Sequence, residues 1–104
     1  MQGVCLKFFV GENQRHEGVL LYEWLLEQAK SMGIGGGTAL RAVAGFGRHG
    51  RLHEEAFFEL AGDLPVEVEF LLSEEQARSL FDLLRSLQLR LFYVQMSAEY
   101  GVVG

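Results

Sequence analysis

The chain is short of cysteine and of cations. One thiol, Cys5, stands alone in 104 residues, and nine Lys plus Arg face fourteen Asp plus Glu. A single thiol forms no internal disulfide and no cysteine-based zinc site, which excludes the stapled frameworks of small extracellular domains and makes the cytoplasm the expected compartment. The formal net charge of −5 argues against a general nucleic-acid binder and leaves room only for a local basic site that holds an anion. Long hydrophobic runs are missing too. VCLKFFV, residues 4–10, is interrupted by Lys7. It is too brief for a bilayer span and lacks the basic start and cleavage site of a signal peptide, so no membrane insertion is expected. Catalytic signatures are absent: there is no G-x-S-x-G, no H-E-x-x-H, and no Cys–His pairing with an orienting acid. No enzymatic activity is expected, and Cys5 in an apolar strand reads as a small core residue.

What is present reads as one domain over residues 1–104. The apolar content of 49% supports a packed core, although a domain of this size gains much from association. Residues 4–10 are rich in Val and Phe and end at Gly11, which predicts a strand. From Gly18 to Met32, Leu21, Leu25 and Ala29 recur at four-residue spacing, with Trp24 and Met32 widening the stripe, which predicts an amphipathic helix closed by Gly33. Gly35, Gly36 and Gly37 then form a turn. Thr38 to Phe46 has strand character, and after Pro65 the alternation of Val66, Val68, Phe70 and Leu72 with Glu67, Glu69 and Leu71 predicts a strand with one wetter face. Ser73 and Gln76 form a capping box opening a helix through Ala77, Leu80, Phe81, Leu84 and Leu87. Leu91 to Met96 closes the series as a last strand.

The order β, α, β, β, α, β predicts an α+β, ferredoxin-like βαββαβ sandwich: a four-stranded antiparallel sheet with two helices on one face. The first strand offers Val4, Leu6, Phe8 and Val10 on one side but Cys5 and Phe9 on the other. An antiparallel sheet with one solvated face shows cleaner alternation, so the free face is expected to pack against copies of the chain; the alternative is a monomer with some apolar area exposed, as is normal on any surface.

These stretches resemble a known family. GENQRHEGVLLYEWLLEQAKSMGIGGGTALRAVAGFGRHGRLH, residues 11–53, and DLPVEVEFLLSEE, residues 63–75, are similar to the PII-like proteins grouped as family 190 of unknown function, relatives of the PII signalling proteins. The resemblance rests on RHEG, the glycine turn, R-x-x-x-G-F-G and L-P-V-x-V-E taken together. It implies a cytoplasmic homotrimer that binds a small effector, a nucleotide or other anion, in clefts between subunits. It also implies a loop after the second strand that reports to a partner, with a membrane transporter or channel suggested by association. The sequence departs from true PII proteins in two places. Residues 87–91 lack their glycine-rich phosphate-holding loop, which argues against ATP binding in their manner. The segment from Phe46 to Glu59 contains no tyrosine to accept a uridylyl group.

The candidate ligand-binding residues are Arg15, His16, Arg41, Gly45, Phe46, Gly47, Arg48, Arg51 and His53. Arg48 and Arg51 offer forked donors to phosphate or carboxylate, and Gly45 and Gly47 permit close backbone approach. The same stretch also reads as a solvated surface loop. Arg41 lies inside a predicted strand, where a long cation needs an anionic partner or a watery exit. It is expected either to point into a subunit cleft or to pair with Glu67 or Glu69 across subunits. Arg15 and His16 precede the first helix, whose N–H groups favour an anion, or serve only capping and solubility. A rival reading makes the chain a small metal-binding protein or enzyme using His49, His53 and a nearby Glu such as Glu54 or Glu55. RNA recognition, which the same element order also serves, is disfavoured by the acids of VEVEF on the free face and by the net charge.

Overall fold

The computed structural model describes residues 1–45 and 64–104. Their elements are β1 (Gln2–Gly11), β2 (Arg15–His16), β3 (Val19–Leu20), α1 (Leu21–Ser31), β4 (Gly37–Arg41), β5 (Pro65–Leu72), α2 (Glu74–Ser86) and β6 (Phe92–Glu99). β4, β5, β1 and β6 form one sheet in that order, and β2 and β3 a separate two-stranded ribbon. All pairings in the larger sheet are antiparallel. This is the α+β, ferredoxin-like arrangement that the sequence predicts.

The core follows from the period-two pattern of β1 and β5. Val4, Leu6, Phe8 and Val10 are paired in register with Leu72, Phe70, Val68 and Val66, and all eight are buried. Opposed residues of an antiparallel pair point to the same side, so these eight line one face. Leu21, Leu25 and Ala29 of α1 and Ala77, Leu80 and Leu84 of α2 complete the core. Phe8 sits at its centre, edge-on to Phe70 at 6.4 Å and to Phe81 at 6.2 Å, an arrangement that the ring quadrupoles favour.

Local signals set the helix ends. Ser73 accepts a hydrogen bond from the Gln76 N–H, and the Gln76 side chain accepts one from the Ser73 N–H, both at 3.0 Å, so the capping box forms. α1 stops in a Schellman motif: Gly33 has φ +83°, the Ile34 N–H donates to Ala29 and the Gly33 N–H to Lys30. α2 ends the same way, with Gln88 at φ +58° and the Leu89 N–H donating to Leu84.

Three boundaries differ from expectation. α1 begins at Leu21 rather than Gly18, because residues 15–20 form the β2–β3 hairpin. Its two central residues, Glu17 and Gly18, have φ of 53° and 82°, the doubly left-handed turn whose twist matches a tight hairpin. β4 ends at Arg41 instead of running to residue 46. The Ala42 N–H still donates to the Pro65 carbonyl, but proline has no N–H to return, so the ladder is only half made there. β6 runs on to Glu99, and the pairing continues as Tyr100 and Met1 exchange backbone hydrogen bonds. No helix among the described residues is long and apolar enough to cross a membrane.

Candidate functional site

The C-terminal ends of β1 and β4 and the N-terminal end of β5 meet at one end of the sheet, where Gly11 faces Pro65 and Arg41 faces Val66. The chain leaves β1 there in a tight turn in which the Gln14 N–H donates to the Gly11 carbonyl and the Gly11 N–H donates to Gln14 Oε1, each at 3.1 Å. That turn aims Glu12 across the end of the sheet. One carboxylate oxygen accepts the Leu64 N–H at 3.2 Å, and the other lies 3.1 Å from Arg41 Nε. The Glu12 side chain is mostly covered, at 20% exposure, whereas that of Arg41 remains 63% exposed. Glu12 therefore holds the base of the guanidinium while most of the group stays open to solvent.

Arg41 thus finds an anionic partner within its own chain. Its place in register with buried Val66 puts it on the helix side of the sheet, opposite to Glu67 and Glu69, so within the chain its partner is Glu12. The sequence reading missed Glu12. The available signal was an acid immediately beyond a strand end, which becomes informative only once the register brings Arg41 to the same place.

Arg15 and His16 form β2 rather than a free lead-in to α1. Arg15 Nη1 donates to the Gly18 carbonyl at 2.8 Å and so closes the hairpin. The His16 ring meets Trp24 of α1 edge-on at 4.7 Å, and its Nε2 lies 3.8 Å from a Glu17 carboxylate oxygen. At the start of α1 the Leu21 N–H donates to the Gln14 carbonyl at 2.7 Å, so one of the donors proposed for an anion is already engaged. Gly45 lies against the ring of Pro65, with 3.6 Å between an added Cβ and Pro65 Cγ.

Arg41 and Gly45 lie at this end of the sheet, where β4 meets the start of β5, whereas Arg15 and His16 make their contacts with the β2–β3 hairpin and α1. Phe46, Gly47, Arg48, Arg51 and His53 lie outside the described residues, as do His49, Glu54 and Glu55 of the rival metal reading. Among the described residues no group of three or more metal-ligating side chains occurs.

The free sheet face has a different chemistry. Glu67, Glu69 and Lys7 sit at its middle, with Lys7 Nζ 3.8 Å from Glu69 Oε2. A side-chain hydrogen bond with Glu69 and partial burial push the Glu67 carboxyl above the usual carboxylate range, while Lys7 draws it back down.

The family model described as "Uncharacterized ACR, COG1993" (DUF190) matches residues 3–97. The chain belongs to this family. DUF190 is a PII-like family. A relative in Aquifex aeolicus strain VF5, a UPF0166 protein, is 38% identical over 73 residues, which is 70% of each chain. The UPF0166 protein MJ1524 of Methanocaldococcus jannaschii is 34% identical over 70 residues, 67% of this chain and 64% of its own.

Proposed function

We propose that this DUF190 protein is a cytoplasmic, non-catalytic regulatory subunit. It assembles as a homotrimer and binds a small anionic effector, a nucleotide or other anion, in the clefts between subunits. The bound state is passed to a partner protein, of which a membrane transporter or channel is the class we favour. The observation that carries this reading is the Arg41 guanidinium, anchored at its base by Glu12 and otherwise exposed. It stands at the end of the sheet where the chain leaves β4 towards Gly45 and enters β5 at Pro65. A guanidinium fixed in this way offers forked donors to phosphate or carboxylate with little further ordering. Membership of a PII-like family supports the same reading. The effector moves a partner only if it favours one conformation over another, so differential affinity is required.

The test is a thermal-shift screen of nucleotides, inorganic phosphate, bicarbonate and divalent metals. A ligand selective for the native protein stabilises it by ~2.7 kcal/mol at a hundredfold excess over Kd. An anionic hit that Arg41→Ala abolishes and His49→Ala leaves intact supports the proposal. Stoichiometric metal binding lost in His53→Ala but kept in Arg41→Ala favours the rival, and no anionic hit across the panel overturns the sensor reading.

A further inference from the structure

β4 is an outer strand of the sheet, exposed at every residue but Ala39. Its register with β5 fixes which of its backbone groups are engaged. The Ala42 N–H donates to the Pro65 carbonyl, and Arg41 stands opposite Val66. Bonded and non-bonded pairs alternate along an antiparallel ladder. Thr38 and Leu40 therefore turn their N–H and C=O groups towards β5, whereas Gly37, Ala39 and Arg41 turn theirs outward. Among the described residues no backbone group meets them there. An edge in this state is a template for another strand, and proteins blunt such edges with proline, lysine or a bulge. GTALR has neither proline nor lysine, and its register runs without a bulge.

The edge is hollowed on both sides. Gly37 admits no side chain, since a Cβ would come within 2.6 Å of the Phe70 ring and 3.0 Å of Leu26. On the helix side, a cavity of about 320 Å³ beside Gly37 is lined by Leu26, Ala29, Ile34 and Phe70. On the opposite side, a groove of about 560 Å³ borders Thr38, Glu69 and Leu71. At the far end of β4 the Arg41 guanidinium stays mostly exposed beyond its contact with Glu12.

These features describe an occupant. Outward N–H and C=O groups at every second residue are matched by another extended backbone. A strand added there sends alternate side chains to the two faces of the sheet, and so into the two hollows. The position beside Gly37 faces the cavity against α1 and takes a large apolar or aromatic side chain, which covers the glycine. Its neighbour faces the groove at Glu69 and takes a base. The position beside Arg41, four residues from the first and on the same face, takes an acid. The chain's own outer strands do not fit this pattern. β6 carries no base, and its single acid, Glu99, stands four residues from Gln95 and not from an apolar residue. β4 carries no acid at all.

We propose that the open edge of β4 is the docking site of a partner protein, which contributes an extended segment of this pattern as a fifth strand of the sheet. The inference takes from the proposed function that a partner exists and adds how it is held.

Random peptides displayed on phage and panned against the immobilised full chain test it, followed by fluorescence anisotropy of the recovered peptides and amide hydrogen exchange of the chain. In the free chain the Ala39 and Arg41 amides are expected to exchange fast and those of Thr38 and Leu40 slowly, and bound peptide is expected to slow the first pair. Peptides with an acid four residues from a large apolar residue should be enriched. Their affinity should fall about tenfold in Ala39→Pro, which removes an outward donor and leaves the ladder to β5 whole. N-methylation of the peptide at the amides facing β4 should weaken binding to the wild type as much, with no change to the protein's own fold. Ala39 and Arg41 amides already protected in the dilute free chain overturn the inference, because the edge is then occupied. Protection that appears only as protein concentration rises, without peptide, assigns the edge to a second copy and overturns it too. So do a library without enrichment and peptides whose binding survives N-methylation. None of these outcomes touches the anion screen, so failure here is distinguishable from failure of the sensor reading.

Discussion

At the scale of single residues, Glu12 decides how Arg41 is used. The carboxylate fastens the guanidinium and also satisfies the Leu64 N–H, so its loss removes two interactions and leaves one backbone donor short of a partner. Glu12→Ala is expected to lower stability by about 1 kcal/mol, most of it from that donor, since an ion pair to so exposed an arginine contributes little. Glu12→Gln keeps an oxygen for Leu64 and should recover most of the loss, a difference that urea midpoints of the two variants will show. Glu67 behaves in the opposite sense to a paired acid. Its pKa in the folded chain is raised, so the native state holds this proton more tightly than the unfolded chain does. The associated stability is therefore full below the ordinary value of 4.5 and is lost as pH rises through the raised value. In a dilute sample Glu67→Gln should flatten that decline and gain no more than about 0.5 kcal/mol at neutral pH, as befits a mostly solvated group. A variant whose urea midpoint still falls with pH as the wild type's does would refute this. The sequence marked Arg41 as a cation needing a partner, which follows from its place in a strand. It did not reveal Glu12, because that contact depends on register and on a turn, and neither leaves a local pattern.

At the scale of elements, the glycine turn separates positions that the fold needs from positions that it does not. A Cβ at Gly37 would come within 2.6 Å of the Phe70 ring, and Phe70 is buried at 1% exposure, so it has no room to give way. Gly37→Ala is expected to cost ~1–3 kcal/mol as overpacking. An added Cβ at Gly35 or Gly36 meets nothing within 4 Å, and neither residue holds a left-handed conformation. Alanine at either position should be neutral or stabilising by up to about 1 kcal/mol, through a less flexible unfolded chain. Equal losses at all three positions in chemical denaturation would contradict this account. The long elements were legible because their signals are local: the alternation of β5, the capping box of α2 and the Gly33 stop of α1. The β2–β3 hairpin was not, since Glu-Gly is a weaker turn signal than Asn-Gly or Asp-Gly. The end of β4 was equally hidden, because it depends on which residue of the partner strand stands opposite, and here that is Pro65, which has no N–H to give.

At the scale of the whole molecule, the two faces of the sheet are unequal. One is closed by α1 and α2 over a core in which, among the described residues, no polar or charged residue is buried. The other leaves Leu40, Leu71 and Met96 about half exposed around its ionisable centre. The sequence conveyed this asymmetry through the double-sided apolar pattern of β1, which a sheet with one wet face does not require. If copies associate through this face, as the sequence leads one to expect, stability depends on concentration, because copies bind the folded chain and not the unfolded one. The melting temperature of the wild type is therefore expected to rise with each tenfold increase in protein. Leu71→Glu, at the edge of the Cys5–Leu71 pair, places a third carboxylate on the face and should abolish that dependence. Because Leu71 is already 46% exposed in the single chain, the substitution leaves the core intact and should move the melting temperature of a dilute sample little. If Leu71→Glu melts with the same concentration dependence as the wild type, the copies meet through some other surface. The clefts that would hold an anion beside Arg41 would then have to be sought there.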